Sequence, residues 1–318
     1  MGDKTGIQWT DATWNPIRGC SRVSEGCRNC YAETVANRFK GPGQPYEGLI
    51  AKGGQWNGSI TVVEHLMDWP LRKRKPMRIF VNSMSDLFHQ NVPFDVIRRI
   101  MLQMAFANHH TYQVLTKRPA RMLEFFEWWG TEAKRSFAAE MPHVWLGVSV
   151  EDQATADERI PLLLQTPAAV RWISAEPLLG KVTLPPLCDL SACGDHGGSR
   201  CDNATCHARV LDWVVVGGES GPHARPMHPE WARSLRDQCR DAGVPFFFKQ
   251  WGEWADADNG PEDDFAYHGK HDCWVHFNGG YHTGKMGVDF FNCYPMYRIG
   301  KKSAGRLLDG REWNEYPS

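Results

Sequence analysis

Six short apolar runs at nearly regular intervals narrow the folds open to this chain more than any other feature. They are Arg78–Val81, Tyr112–Leu115, Val144–Val148, Val170–Ile173, Trp213–Val216 and Pro245–Phe248, and their starts lie about 26 to 43 residues apart. Most of the gaps hold a stretch with helical periodicity: Phe94–Ala107, Ala120–Trp129, Asp152–Leu164 and Pro229–Ala242. An apolar strand, an amphipathic helix and another apolar strand at this spacing make a parallel βαβ unit. Near-continuous apolar strands belong to a sheet covered on both faces. The expected fold class is α/β, a full or partial (β/α) barrel. A doubly wound open sheet is the alternative, because periodicity does not distinguish closure from twist.

Polar residues succeed each run. Asn82, Ser83 and Asp86 come after the first, Lys117 after the second, Ser149 and Glu151 after the third, Glu176 after the fourth, Gly217, Gly218 and Glu219 after the fifth, and Lys249 after the sixth. Each could serve alone as a helix cap or half of an internal ion pair. Together they predict a ligand-facing rim, since (β/α) barrels build their sites at the C-terminal ends of the strands. In that reading Lys117, Glu176, Glu219 and Lys249 would orient polar parts of a cofactor or substrate, with Asn82, Ser83, Asp86, Ser149, Glu151, Gly217 and Gly218 as further candidate cofactor contacts on the same rim.

Upstream lies Arg18-Gly-Cys-Ser-Arg-Val-Ser-Glu-Gly-Cys-Arg-Asn-Cys-Tyr31, with Cys20, Cys27 and Cys30 in a Cys-x6-Cys-x2-Cys pattern after a short strand within Thr13–Arg18. Gly19 and Gly26 each precede a cysteine, where a missing Cβ permits a tight turn. Closely spaced thiolates hold iron–sulfur clusters, usually through four cysteines, so three ligands would leave one iron open for chemistry. A zinc ion with a fourth ligand elsewhere, or unligated thiols, are the alternatives. Downstream of the loop, Tyr31–Lys40 reads as a helix, and Ile60–Trp69 as another.

A second cysteine group occupies an insert at 187–207, where Cys188, Cys193, Cys201 and Cys206 stand among Gly, Ser and Asp with His196 and His207. So few large apolar residues cannot fold such a segment by packing, and a bound zinc ion would supply the missing free energy; a second cluster or a loop with incidental thiols are the other readings. The expected organisation is a barrel domain over 1–254 containing this insert, with a C-terminal extension over 255–318. That extension concentrates Arg298, Lys301, Lys302, Arg306 and Arg311 near Trp313 and Tyr316. Such a tail can meet nucleic acid by charge and stacking, or simply form a solvated face.

The 36 basic and 37 acidic residues nearly cancel, so no global field steers the chain toward DNA or an acidic membrane. The N-terminus carries no apolar signal core, and no later run is long enough to span a bilayer. A cytoplasmic protein with reduced or metal-bound cysteines is expected, with no membrane partner.

Four stretches carry a resemblance: Trp9–Pro16, the three-cysteine loop, Leu211–Pro222 and Pro245–Gly252 together resemble the phage Gp37/Gp68 family of uncharacterised proteins. More distantly the chain is similar to radical S-adenosylmethionine enzymes, including the spore photoproduct lyase group, which place a three-cysteine loop after the first strand of a partial TIM-type barrel. This second resemblance implies a [4Fe-4S] cluster on Cys20, Cys27 and Cys30, S-adenosylmethionine as cofactor and an electron-donor protein. With the basic tail, it also suggests a nucleic acid or nucleotide-like substrate. In this chain the first gap is longer than usual for those enzymes, and Tyr31 comes after the last cysteine where they place an aromatic before it. The rival class is a non-catalytic, zinc-stabilised nucleic-acid-binding or adaptor module.

Overall fold

The computed structural model describes residues 5–187, 211–256, 272–283 and 293–317. All six apolar runs are strands: β4 (Arg78–Val81), β5 (Thr111–Thr116), β6 (Val144–Ser149), β7 (Val170–Ala175), β8 (Trp213–Gly217) and β9 (Phe246–Gln250). The segment before the cysteines gives β1 (Ala12–Trp14) and β2 (Ile17–Arg18), the latter paired antiparallel with β3 (Thr61–Val62). One seven-stranded sheet runs in the order β1-β4-β5-β6-β7-β8-β9. The pairs β1–β4, β4–β5, β5–β6 and β8–β9 are parallel, so the architecture is α/β and compatible with a partial (β/α) barrel. The helices are α1 (Tyr31–Arg38), α2 (Phe94–Phe106), α3 (Pro119–Trp129), α4 (Thr131–Glu140), α5 (Gln153–Leu164), α6 (Pro229–Asp241) and the short α7 (Lys301–Ala304). No helix among the described residues is long and apolar enough to cross a membrane.

The chain divides into two compact units, Met1–Ser149 with Arg159–Trp172, and Val150–Glu158 with Ile173–Ser318. Within the second unit the C-terminal residues pack with strands β8 and β9.

In the first unit Trp9 sits edge-on to Phe80 and Trp172, with ring centroids 4.7 and 5.3 Å away. Gly147 in β6 makes room for Trp172: a Cβ there would lie 2.6 Å from the indole. Phe125, Phe126 and Phe137 join α3 to α4, with Phe126 and Phe137 4.9 Å apart. The expected helix over Ile60–Trp69 does not form. Thr61 and Val62 are taken into backbone pairing with β2, and two short 3-10 turns, Glu64–Leu66 and Pro70–Arg72, come after them.

In the second unit every residue of β8 is buried, as a strand covered on both faces requires. His228 caps α6, its Nδ1 accepting from Glu230 N at 3.1 Å, with Pro229 in the first helical position. The extension contributes an antiparallel sheet absent from the pattern of apolar runs, β10 (Trp254–Asp256), β13 (Cys293–Arg298), β11 (Asp272–His276) and β12 (Tyr281–Thr283), in that order. The segment after α7 then lies along β9: Phe248 N donates to Trp313 O at 3.0 Å and Glu315 N to Phe246 O at 3.2 Å. Trp213 Nε1 also donates to Glu315 O at 2.8 Å, and Tyr316 packs against Trp213 and Phe247.

Candidate functional site

The three cysteines occupy three local settings in one loop. Gly19 leaves β2 with φ +95°, and a Cβ there would stand 2.1 Å from Ser59 O, so only glycine fits the turn into Cys20. Cys27 closes the 3-10 turn Glu25–Cys27, and Cys30 is the residue before α1. Arg22 reaches over the loop to Glu33 in α1 at 2.6 Å, and Glu33 also accepts from Trp56 N at 3.1 Å. Cys20 and Cys30 pack against an apolar cluster of Ala32, Ala36, Leu49, Trp56 and Met84. Burial, and next the Asp86 carboxylate, push the Cys20 thiol up to about 12 against the pull of Arg118; Cys30 is raised chiefly by burial. Cys27 adds to the rise at both, so the thiols feel one another's charge.

The segment after β4 is built into this loop. Gly19 and Ser85 form a parallel bridge, Ser85 Oγ donates to Ile17 O at 3.0 Å, and the Tyr31 hydroxyl donates to Ser83 O. Ser83 Oγ exchanges hydrogen bonds with Asn15. Asn82 is the unusual member. Its backbone sits at φ +61°, it is 3% exposed, and neither its side-chain oxygen nor its nitrogen has a hydrogen-bond partner. A buried carboxamide left unsatisfied costs about 1–3 kcal/mol, and Asn82 carries that cost in a left-handed conformation.

Asp86 anchors a buried network. Its Oδ1 accepts from Phe88 N at 2.9 Å and Thr116 Oγ1 at 2.7 Å; its Oδ2 accepts from Lys117 N at 3.1 Å and Arg118 Nη1 at 2.9 Å. Arg118 also places Nη1 3.9 Å from the Cys20 sulfur, and its Nη2 donates to Ser21 O and Oγ at 2.8 and 2.9 Å. His89 Nε2 lies 2.9 Å from Ser21 Oγ, while its Nδ1 accepts from Asn91 N at 3.1 Å. Burial and then the Arg118 guanidinium lower His89 to about 4, against the Asp86 carboxylate, so the ring is neutral and its Nε2–H donates to Ser21. A cation is thereby fixed beside a cysteine whose ligating form is an anion.

The position after β5 points to Lys117, and its neighbour Arg118 is the residue whose side chain joins Asp86, Ser21 and Cys20. The strand alternation carries the signal: Tyr112, Val114 and Thr116 share a buried face, and Arg118 continues it. Ser21 and His89 have no comparable mark in the sequence.

Apart from Ser149, the remaining rim candidates lie in the second unit. Lys249 Nζ is 2.6 Å from Glu176 Oε1, and Lys301 nearby is lowered by burial and then by Lys249. A Cβ on Gly217 would stand 3.3 Å from the Glu176 carboxyl carbon. Gly218, expected to admit a ligand to the backbone, is instead a crossing point of two backbone segments: a Cβ there would lie 1.9 Å from Trp251 O. Glu219, expected to meet a ligand ammonium or hydroxyl, has its carboxylate buried against Arg225, at 2.7 Å from Nη2 and 2.9 Å from Nε. Ser149 O accepts from Arg159 at 2.8 Å, and Glu151 is 1% exposed. In the basic tail Arg298 donates to Gly221 O and Pro222 O, Arg306 to Asn314, and Arg311 lies over Trp313. Lys302 is exposed, and Lys301, although partly desolvated near Lys249, also keeps an exposed surface. The insert cysteines Cys188, Cys193, Cys201 and Cys206 lie outside the described residues, as do His196 and His207. Among the described residues no group of three or more His, Cys, Asp or Glu is gathered as a single-ion site.

Fold and site together define an α/β protein with a parallel sheet, whose three-cysteine loop is joined to the C-terminal ends of β4 and β5. Residues 4–317 match the family described as "Protein of unknown function (DUF5131)", and the chain belongs to it. No curated protein and no solved structure matches it.

Proposed function

We propose that the three-cysteine loop holds a [4Fe-4S] cluster and that the protein is a radical S-adenosylmethionine-like enzyme acting on a nucleic acid or nucleotide-like substrate. The observation that carries this reading is the orphaned carboxamide of Asn82, on the segment bridged to Gly19 and hence to the cysteine loop.

The donor set suits such a cluster. Three soft thiols stand in one loop, and the Arg118 guanidinium beside Cys20 offsets negative charge on thiolate sulfur. Since a metal takes the thiolate, loading displaces protons from Cys20 and Cys30, whose thiols burial otherwise keeps neutral. When bound, the cluster and its cofactor supply one-electron chemistry, with the protein's share being to bind, orient and exclude water. Asn82 offers one acceptor and two donors, a match for the amino and carboxylate groups of an amino-acid moiety. Asp86 and His89 hold Arg118 and Ser21 in place and leave the loop little freedom. For the substrate, the exposed Lys301 and Lys302 support a phosphate-bearing molecule.

Iron and sulfide analysis of anaerobically purified protein, followed by electron paramagnetic resonance of the reduced sample with and without S-adenosylmethionine, tests the reading. Equal iron and sulfide with a spectrum that shifts on adding the cofactor is the expected result. Zinc alone, with no reconstitutable cluster and no metal lost in Cys27→Ala, refutes it.

A further inference from the structure

The antiparallel sheet β10-β13-β11-β12 has one sealed face and one open face. Cys273, Val275 and Met296 are each 1% exposed on the first. Trp274, His276, His282 and Cys293 alternate onto the second and are half-buried. Cys293 is the direct cross-strand partner of His276, and His282 pairs with Trp274, one step diagonally from His276. The register therefore brings a thiol and two imidazoles together. Cys293 Sγ lies 3.1 Å from His276 Nδ1, and His276 Nε2 lies 3.1 Å from His282 Nδ1.

We propose that Cys293 is a nucleophilic thiol, activated by His276 and His282, that takes small-molecule disulfides into a mixed disulfide on the open face of this sheet. A nucleophile within hydrogen-bond reach of a base, and that base aligned by a third group, is the arrangement that makes a thiolate at neutral pH. With Nε2–H of His276 donating to His282 Nδ1, His276 Nδ1 is the unprotonated ring nitrogen; the sulfur lies 3.1 Å from it and 3.8 Å from Nε2, off the in-plane lone-pair direction, so Nδ1 accepts the thiol proton after a rotation of the imidazole. The thiolate then attacks one sulfur of the disulfide. A bond from Cys293 Sγ to that sulfur forms, the original S–S bond breaks, and the departing thiolate leaves with the electron pair and takes the proton from the His276 imidazolium. No further oxidant is required. Other titratable groups that the described residues bring to this sheet include Asp256 within β10, 3.8 Å from Arg233, His228, packed against Tyr294 and Phe277, Lys181 over Phe277, and Arg298 at the far end of β13, bonded to Gly221 O and Pro222 O. Cys273 is the internal contrast: one strand over and on the sealed face, its thiol is pushed up to about 12 by burial.

The full chain, treated with oxidised glutathione across neutral pH and read by peptide-resolved mass spectrometry, tests this. Glutathionylation of Cys293 is expected with a pH midpoint at least about one unit below that of an ordinary thiol near 8.5, and Cys273 should stay unmodified. His276→Asn should return the midpoint to the ordinary value and slow reaction at neutral pH by roughly tenfold, with His282→Asn between the two. The same midpoint in the parent and in both variants overturns the proposal. So does protection of Cys293 by equimolar zinc without any acid-shifted reaction, since that outcome makes the three residues a ligand set.

Discussion

Arg118 bridges Asp86 and Cys20: one guanidinium nitrogen stands 2.9 Å from the Asp86 carboxylate and 3.9 Å from the Cys20 sulfur. Both charged side chains are almost fully buried, at 9% exposed for Arg118 and 8% for Asp86. Removing one member leaves the other buried and uncompensated, a loss on the order of 3–5 kcal/mol. Arg118→Met is expected to lower the denaturant midpoint accordingly. Arg118→Lys should recover part of the loss but not the two bonds to Ser21. Chemical denaturation of the metal-free chain is the measurement; equal stability of all three proteins would show that the pair contributes nothing.

Gly19→Ala tests whether the turn into Cys20 tolerates a side chain. The added carbon meets Ser59 O at 2.1 Å and the backbone is at φ +95°. Gly58→Ala is the control, with φ +84° and no heavy atom within 4 Å of the new carbon. The control should cost about 1 kcal/mol from backbone strain alone. Gly19→Ala should cost clearly more and reduce iron uptake. Thermal melts paired with iron titration distinguish them.

Asn82→Gly separates ligand binding from stability. Glycine keeps the left-handed backbone and removes the unsatisfied carboxamide, so the unliganded protein should be as stable as the parent or more so. Binding of S-adenosylmethionine, read by calorimetry on the cluster-loaded protein, should weaken by tenfold or more, about 1.4 kcal/mol. A large loss of stability with unchanged binding would make Asn82 a structural residue.

His228 gives the fold a dependence on pH. Burial lowers it to about 4, with the nearby Glu230 opposing and Arg233 adding. Its neutral Nδ1 caps α6, and protonation would remove that acceptor and set a positive charge at the positive end of the helix dipole. A group with a depressed imidazole pKa stays neutral in the folded chain while the unfolded chain gains a proton, so stability falls as pH drops from about 6.5 toward 4. The contribution is at most about 3 kcal/mol. His228→Asn, which retains a capping acceptor, should flatten the dependence in this window while holding stability at neutral pH. Denaturation midpoints measured through that range provide the check.

The strands are legible in the sequence because their residues are buried on both faces, a condition that writes Val214, Val215 and Val216 or Phe246, Phe247 and Phe248 as unbroken runs. The cysteine loop is legible from spacing alone. The Arg118 network is not, because Ser21, the turn carrying Asp86 and His89, and Arg118 are far apart in sequence and meet only once β2, β4 and β5 are aligned. The Glu219 pairing is hidden for a related reason: Arg225, six positions on, takes its carboxylate through a turn that composition does not reveal. The antiparallel sheet escapes notice because its strands are short and carry few buried residues: β13 has one, Met296, and β12 has none. That pattern is weaker than a continuous apolar run.

The segment containing Trp313 and Glu315 has a consequence for the state of the chain before it docks. Strand β9 is last in its sheet, and its outer hydrogen-bonding groups, at Phe246 and Phe248, are met by this segment. Without that cover, three consecutive phenylalanines would present an unsatisfied, flat and uncharged border, the kind of template on which other chains add strands. The closing segment is in that sense a guard against self-association. Truncating it should yield a protein that aggregates from a largely native fold, rather than one that fails to form its sheet.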